Sequence, residues 1–249
     1  MTVDSGFRNL NVDGLVNARD LGGLRRQNGS LTPRGVFFRA ENVDWATSLG
    51  WKQMFDAGIR TVVDLRQPAE RDRDTGRRPS WLETIHVDLD GLENVEFWKD
   101  YWDNGLVGTA LYFLPHLTSM PERTGAALSA AVNAPRGGVL FHCMAGRDRT
   151  GMIALLLLLA VGTDPDEIVD DYLETVRLGD QRAVITKRNN EESVLEEFCQ
   201  RHGTTTEGAF RSVIEALDLP ATLTAANLSE HDRGALRTWR GSIASTSAR

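Results

Sequence analysis

A cysteine, an arginine six positions later and a hydroxyl stand together in Phe141-His142-Cys143-Met144-Ala145-Gly146-Arg147-Asp148-Arg149-Thr150-Gly151. A thiol and a guanidinium at that spacing suit a tetrahedral oxyanion. The backbone N–H groups between Cys143 and Arg149 can turn inward as an anion nest, and Gly146 permits the tight backbone. Arg149 offers a fork for two phosphate oxygens. A helix starting near Arg149 adds the positive end of its dipole. Such surroundings favour a thiolate, which can attack phosphorus in line and give a phosphocysteine. Met144, Ala145, Gly146, Arg147 and Thr150 would line the bound phosphate, and the Thr150 hydroxyl is placed to donate to the sulfur. His142 is expected to brace the loop rather than act as a base. The leaving oxygen needs a proton. Asp148 is one candidate acid; Asp88 and Asp90, ending a neighbouring strand, are others. Taken singly, Cys143 reads as a buried structural thiol and Arg149 as a surface cation. The joint pattern points instead to phosphate chemistry.

The loop needs a rigid frame. An apolar run from Val139 to Phe141 leads in, and a ten-residue apolar run, Met152 to Val161, leads out: strand, tight loop, buried helix. Upstream, residues 21 to 39 read as an edge β-hairpin turning at Gln27-Asn28-Gly29-Ser30. A helix stops at Gly58. Ile59 to Leu65 is a central parallel strand, and Thr84 to Leu89 is a second strand. The charged stretch 66 to 80 is a loop or frayed helix. Residues 92 to 120 are rich in aromatics and broken at Asn104-Gly105, and they suit either core packing or a lid. Pro121 to Asn133 is a helix. Asp164-Pro165-Asp166-Glu167 caps another. Glu191 to His202 and Thr206 to Leu217 are amphipathic helices, residues 220 to 238 form one weak helix, and 241 to 249 are a flexible tail. Strands alternating with helices make this α/β with a mainly parallel sheet, in one domain over 1 to 240.

Composition narrows the chemistry. The net charge of −7 argues against a nucleic-acid binder. Two cysteines exclude a disulfide scaffold, and Cys199 reads as an ordinary helix residue. No apolar stretch follows Met1, and the run from Met152 is about half of the roughly 20 residues a membrane span needs. A cytoplasmic setting that keeps a thiol reduced is therefore expected, with no stable membrane anchor, metal or cofactor.

The loop, reading HCMAGRDRT, resembles the His-Cys-x-x-Gly-Lys-Asp-Arg-Thr loop of atypical bacterial protein-tyrosine phosphatases. These are cysteine-based enzymes that also accept phosphoserine/threonine and phosphoinositides. Asn17 to Gly23, Gly35 to Arg39, Gly58 to Glu70 and Asp171-Tyr172-Leu173 resemble further family segments, so the likeness covers about residues 8 to 175. It implies a protein-tyrosine-phosphatase-like fold, Cys143 as nucleophile, Arg149 as phosphate binder, Asp148 as general acid and a helical lid near 92 to 120. Arg147 stands where the family has lysine, and Ala40 where it has serine. Arg19, Asp20, Asp64 and Arg66 are expected to form a buried ion-pair network behind the loop rather than touch substrate. The expected partners are a phosphorylated protein or lipid, with inorganic phosphate as product, and phosphotyrosine ahead of the alternatives. Net acidity ranks lipid below peptide. Competing readings are a non-catalytic phospho-binding module and a rhodanese-like sulfur transferase.

Overall fold

The computed structural model describes residues 8–74, 76–187 and 189–244. Residues 1–7 of the lead-in and 245–249 of the tail lie outside them. Five strands, β1 (Arg19–Asp20), β2 (Phe37–Ala40), β3 (Ile59–Asp64), β4 (Glu83–His86) and β5 (Gly138–His142), form one sheet in the order β1-β2-β5-β3-β4. The first two pair antiparallel. The hairpin therefore opens two residues earlier than the glycine pattern predicts. Its turn sits where expected, with the Arg26 N–H donating to Ser30 O at 2.7 Å. Helix α1 (Ser48–Asp56) is capped by the Thr47 hydroxyl and stops at Gly58, whose φ of 85° suits glycine.

The strand β3 (Ile59–Asp64) is nearly all buried and pairs in parallel on both sides. After it come the single-turn α2 (Pro68–Arg71) and β4 (Glu83–His86). β4 is shorter than predicted because the chain turns at Asp88, which accepts from the Asp90 N–H at 3.1 Å. Within 92–120, α3 (Val95–Tyr101) and α4 (Phe113–Ser119) frame a short 3-10 turn. Most of their aromatics are core: Phe97, Trp98, Tyr112 and Phe113 are buried, with Phe97 stacked 4.6 Å from Tyr101. Helix α5 (Pro121–Asn133) then leads to β5 (Gly138–His142).

From β5 the chain enters the loop and α6 (Asp148–Ala160), buried without break from Thr150 to Leu158. A helix apolar all round belongs inside a protein. Five more helices follow the capped α7 (Pro165–Arg177): α8 (Gly179–Thr186), α9 (Glu192–Arg201), α10 (Thr206–Ala216), α11 (Leu219–Ala225) and α12 (Glu230–Arg237). The weak helix predicted over 220–238 is two helices. Asp218 caps one and Ser229 the other, and Asn227 breaks the run with a φ of 53°. α8 had no sequence expectation.

Alternation along the strands divides the core between the two faces of the sheet. Val63, Phe37, Val139 and Phe141 face the large helical layer, whereas Val62, Phe38, Ala40 and Leu140 face α1 and residues 12–18. The register aligns Ala40 with His142, His142 with Asp64, and Asp64 with His86. These residues close the carboxyl ends of four parallel strands, where open α/β sheets hold their sites. No helix among the described residues is long and apolar enough to cross a membrane.

Candidate active site

Cys143 leaves β5 at that row and is 2% exposed. Its Sγ accepts a hydrogen bond from Thr150 Oγ1 at 3.2 Å, across the head of α6. Four successive loop carbonyls have partners outside the loop's hollow. Cys143 O lies 3.0 Å from His142 Nδ1. Met144 O accepts from the Asn42 N–H at 2.9 Å, Ala145 O from Asn17 Nδ2 at 3.2 Å, and Gly146 O from Arg39 Nη2 at 2.7 Å. Drawing the carbonyls outward leaves the intervening N–H groups to the inside, which is the geometry of an anion nest. Gly146 makes the turn with φ of 68°, and a Cβ there would meet Ala40 O at 2.5 Å.

Two buried charge networks stand behind the loop. In the first, Asp171 on α7 takes three arginines: Oδ1 accepts from Arg8 at 2.7 Å and Arg19 Nε at 2.9 Å, and Oδ2 from Arg39 at 2.6 Å. Burial pushes the Asp171 carboxyl up, but the three guanidiniums prevail and hold it well below the usual range. Through Arg39 this network reaches the Gly146 carbonyl. In the second, Arg66 and Arg78 lie among Asp44, Asp64 and Asp74. The distances are 2.7 Å from Arg66 to both Asp64 and Asp74, and 2.9 Å from Arg78 to Asp44. The three carboxylates come within metal-binding distance of one another, but the two guanidiniums supply their countercharge. His142 joins this network, with Nε2 3.4 Å from Arg78 and 3.6 Å from Asp64. Its Nδ1 faces a carbonyl, which can only accept, so Nδ1 carries the hydrogen and Nε2 receives the Arg78 N–H. Burial lowers the His142 pKa to about 4, keeping the ring neutral.

Arg19, Asp64 and Arg66 thus lie in networks behind the loop, but in two networks rather than one. Asp20 meets the first through its backbone carbonyl, which accepts from Arg8 Nη1 at 3.3 Å. Its carboxylate caps the hairpin, accepting from the Gly22 N–H at 2.7 Å and the Gly35 N–H at 3.0 Å. Sequence reasoning missed Asp171, Arg39, Arg78, Asp44, Asp74, Asn17 and Asn42. The available signal was a charged residue at the end of an apolar strand, as at Arg39.

The three candidate acids stand in different settings. Asp148 opens α6, and its Oδ1 is sealed from solvent with no hydrogen-bond partner. Burial pushes its carboxyl up, against the pull of Arg147 and Arg149. Arg149 donates to Glu70 at 2.9 Å and to Asp90 at 2.8 Å. Burial raises Asp90 to about 6, opposed by Arg149. Burial also pushes Glu70 up, but its bonds to Arg149 hold it below its ordinary value. Asp88 faces Arg123 at 3.4 Å instead.

Arg147 does not open onto solvent; it is 2% exposed. It donates to the Gly108 carbonyl and lies 3.2 Å from Glu192. Beside the loop is a cleft of about 280 Å³, walled by Met144 and Asp148 on one side and by Arg182, Thr186 and Leu195 of α8 and α9 on the other. Residues 92–120 reach it through Val107 and Gly108.

The chain is similar to proteins with phosphatase names. A Cupriavidus necator protein with a tyrosine-protein phosphatase name is 32% identical over 175 residues, covering 68% of this chain and 64% of that one. The triple specificity protein phosphatase PtpB of Mycobacterium tuberculosis is 46% identical over 169 residues, covering 57% of this chain and 61% of that one. The chain thus spans somewhat less than two thirds of either relative. The P. aeruginosa TpbA structure in complex with pTyr aligns over 78% of this chain and 87% of that one, at 12% identity and a TM-score of 0.37. A model of the tyrosine phosphatase family matches residues 10–239, and the chain belongs to that family.

Proposed function

We propose that this chain hydrolyses phosphate monoesters, phosphotyrosine first among them, through a phosphocysteine on Cys143. One observation carries the reading: a buried sulfur at the head of α6, taking a hydroxyl hydrogen bond, inside a loop whose carbonyls are drawn outward. The Cys143 thiolate attacks phosphorus as the ester oxygen leaves. Asp148, favoured as an acid by its burial, gives that oxygen its proton. The resulting Asp148 carboxylate then takes a proton from water, which attacks the phosphocysteine and frees inorganic phosphate. Thr150 steadies the sulfur as nucleophile and as leaving group. Arg149 grips two phosphate oxygens after exchanging Glu70 and Asp90 for them.

A thiol this buried suits an aryl phosphate, which reaches further than a serine phosphate. The tyrosine-protein phosphatase name of the Cupriavidus necator relative supports the same preference. A reducing cytoplasm suits the reaction. Residues 92–120, with α8 and α9, would cover the bound ester. Phosphate release from p-nitrophenyl phosphate tests the chemistry. Cys143→Ser should abolish it, and equal release before and after the change would refute the mechanism. A panel of phosphotyrosine peptide, phosphoserine peptide and phosphoinositide then ranks the substrates.

A further inference from the structure

The cleft beside the loop holds a second charged constellation that the reaction does not use. Arg147 and Arg182 both face one carboxylate, Glu192 at the first turn of α9. Arg182 Nη2 donates to Glu192 Oε1 at 2.8 Å, and Arg147 Nη2 lies 3.2 Å from Oε2. The second contact is close but poorly aligned. Arg147 Nε and Nη2 and Glu192 Oε2 are all buried and have no hydrogen-bond partner. Unpaired buried donors on a charged group are costly, and a ligand that pairs them recovers that cost.

The two guanidiniums do not depend on Glu192 for their positions. Arg147 donates to the Gly108 carbonyl, and Arg182 Nη1 to Thr175 O at 2.9 Å. The pair would therefore stay in place if the carboxylate left. Glu192 opens its helix, and its neighbour Glu191 is exposed. Swung outward, its charge would keep the favourable end of the α9 dipole.

We propose that Arg147 and Arg182 form a second anion subsite beside the phosphate loop, held in this structure by the Glu192 carboxylate, and that it selects phosphotyrosine peptides with an acidic residue next to the phosphotyrosine. The group already seated there is a carboxylate on a short flexible stem, which is what a substrate aspartate or glutamate would present. Arg147 belongs to the phosphate loop itself, so the subsite adjoins the site of chemistry. The proposal rests on the phosphatase reading above.

The readout is the ratio of kcat/KM for two phosphotyrosine peptides that differ only in glutamate or glutamine beside the phosphotyrosine. In the unmodified protein the ratio should exceed one at low salt and fall towards one at about 0.5 M salt as screening grows. Glu192→Gln removes the competing charge and should raise the ratio about tenfold, the scale of one charge-assisted hydrogen bond. Arg182→Gln should bring it close to one. A ratio of one at low salt in the unmodified protein overturns the proposal even if neither variant folds. So does an unchanged ratio in Glu192→Gln. If neither peptide nor p-nitrophenyl phosphate is hydrolysed, the phosphatase reading fails. If all are hydrolysed with a flat ratio, only the subsite fails.

Discussion

Asp148 and Asp90 divide the acid–base question at the level of single residues. Asp148 is held inside the loop and favours its protonated form through burial. If it protonates the leaving oxygen, Asp148→Asn should slow an alkyl phosphate by roughly 10²–10⁴-fold, the usual worth of a general acid. It should slow p-nitrophenyl phosphate far less, because that leaving group needs little help. Equal losses on both esters would make Asp148 a positioning residue. Asp90 differs because it grips Arg149 at 2.8 Å. Its pKa of about 6 means the grip is ionic above pH 6 and weakened below it. Asp90→Asn removes that competition at every pH. The variant-to-parent ratio of kcat/KM should therefore be flat below pH 6 and climb above it, and the ratio cancels the ionisation of the substrate itself. A ratio that lies below one and falls further towards low pH would identify Asp90 as the proton donor.

The elements explain how far the sequence could be read. Strand, loop and buried helix are local features: an apolar run, a glycine-bearing loop and a leucine-rich run lie within 25 residues, and their order shows in the sequence. The partners behind them are not local. Arg19 finds Asp171 at a separation of 152 positions, and Arg39 finds it at 132. Nothing in a one-dimensional pattern ranks one buried aspartate over another as their partner. The stretch 66–80 reads as a loop or frayed helix because Arg66 and Arg78 share a partner, Asp44, that lies 22 and 34 positions upstream. Asp20 joins the arginine network by its carbonyl and caps the turn with its carboxylate, two roles that look alike in sequence.

Two predictions test the frame that these elements build. Gly146→Ala would force a Cβ to within 2.5 Å of Ala40 O at a left-handed φ. The loop must shift, and displacements of about 1 Å can cost about 10²-fold in rate. A Gly146→Ala variant within threefold of the parent kcat/KM would show that the loop tolerates the shift. Asp171→Asn leaves three buried arginines without their shared countercharge, a loss of about 3–5 kcal/mol by denaturant titration at pH 7. The Asp171 carboxyl is held below its unfolded value, so its contribution is complete above about pH 4 and is lost progressively as pH falls from there towards the lower folded value. The gap between the two proteins should therefore narrow in acid. A constant gap down to pH 2 would mean that Asp171 acts through packing rather than charge.

At the scale of the whole molecule, the part least legible in sequence closes the structure. Trp239 follows α12 and is fully buried. Its ring meets Phe37 of β2 edge-on at 4.8 Å, and its indole N–H donates to Pro33 O at 3.0 Å. The next residue, Arg240, donates at 2.8 Å to both Gly137 O and Pro135 O, on the turn that feeds β5. The end of the described chain thus fastens the approaches to two neighbouring parallel strands, and β5 is the one that delivers Cys143. In sequence this appears only as a tryptophan in a polar stretch, because its partners lie about a hundred to two hundred positions upstream. Trp239→Ala should cost about 3–5 kcal/mol, lowering Tm by roughly 10 °C at the usual 2–4 °C per kcal/mol for this size. The loop is braced separately by Arg39, Asn17 and Asn42. Well below the new Tm, kcat/KM for p-nitrophenyl phosphate should therefore stay within about twofold of the parent. A stability loss under about 1 kcal/mol would show that the C-terminal helices lie on the core without closing it. A large loss of activity in protein that remains folded would show that the brace on β5 extends into the loop.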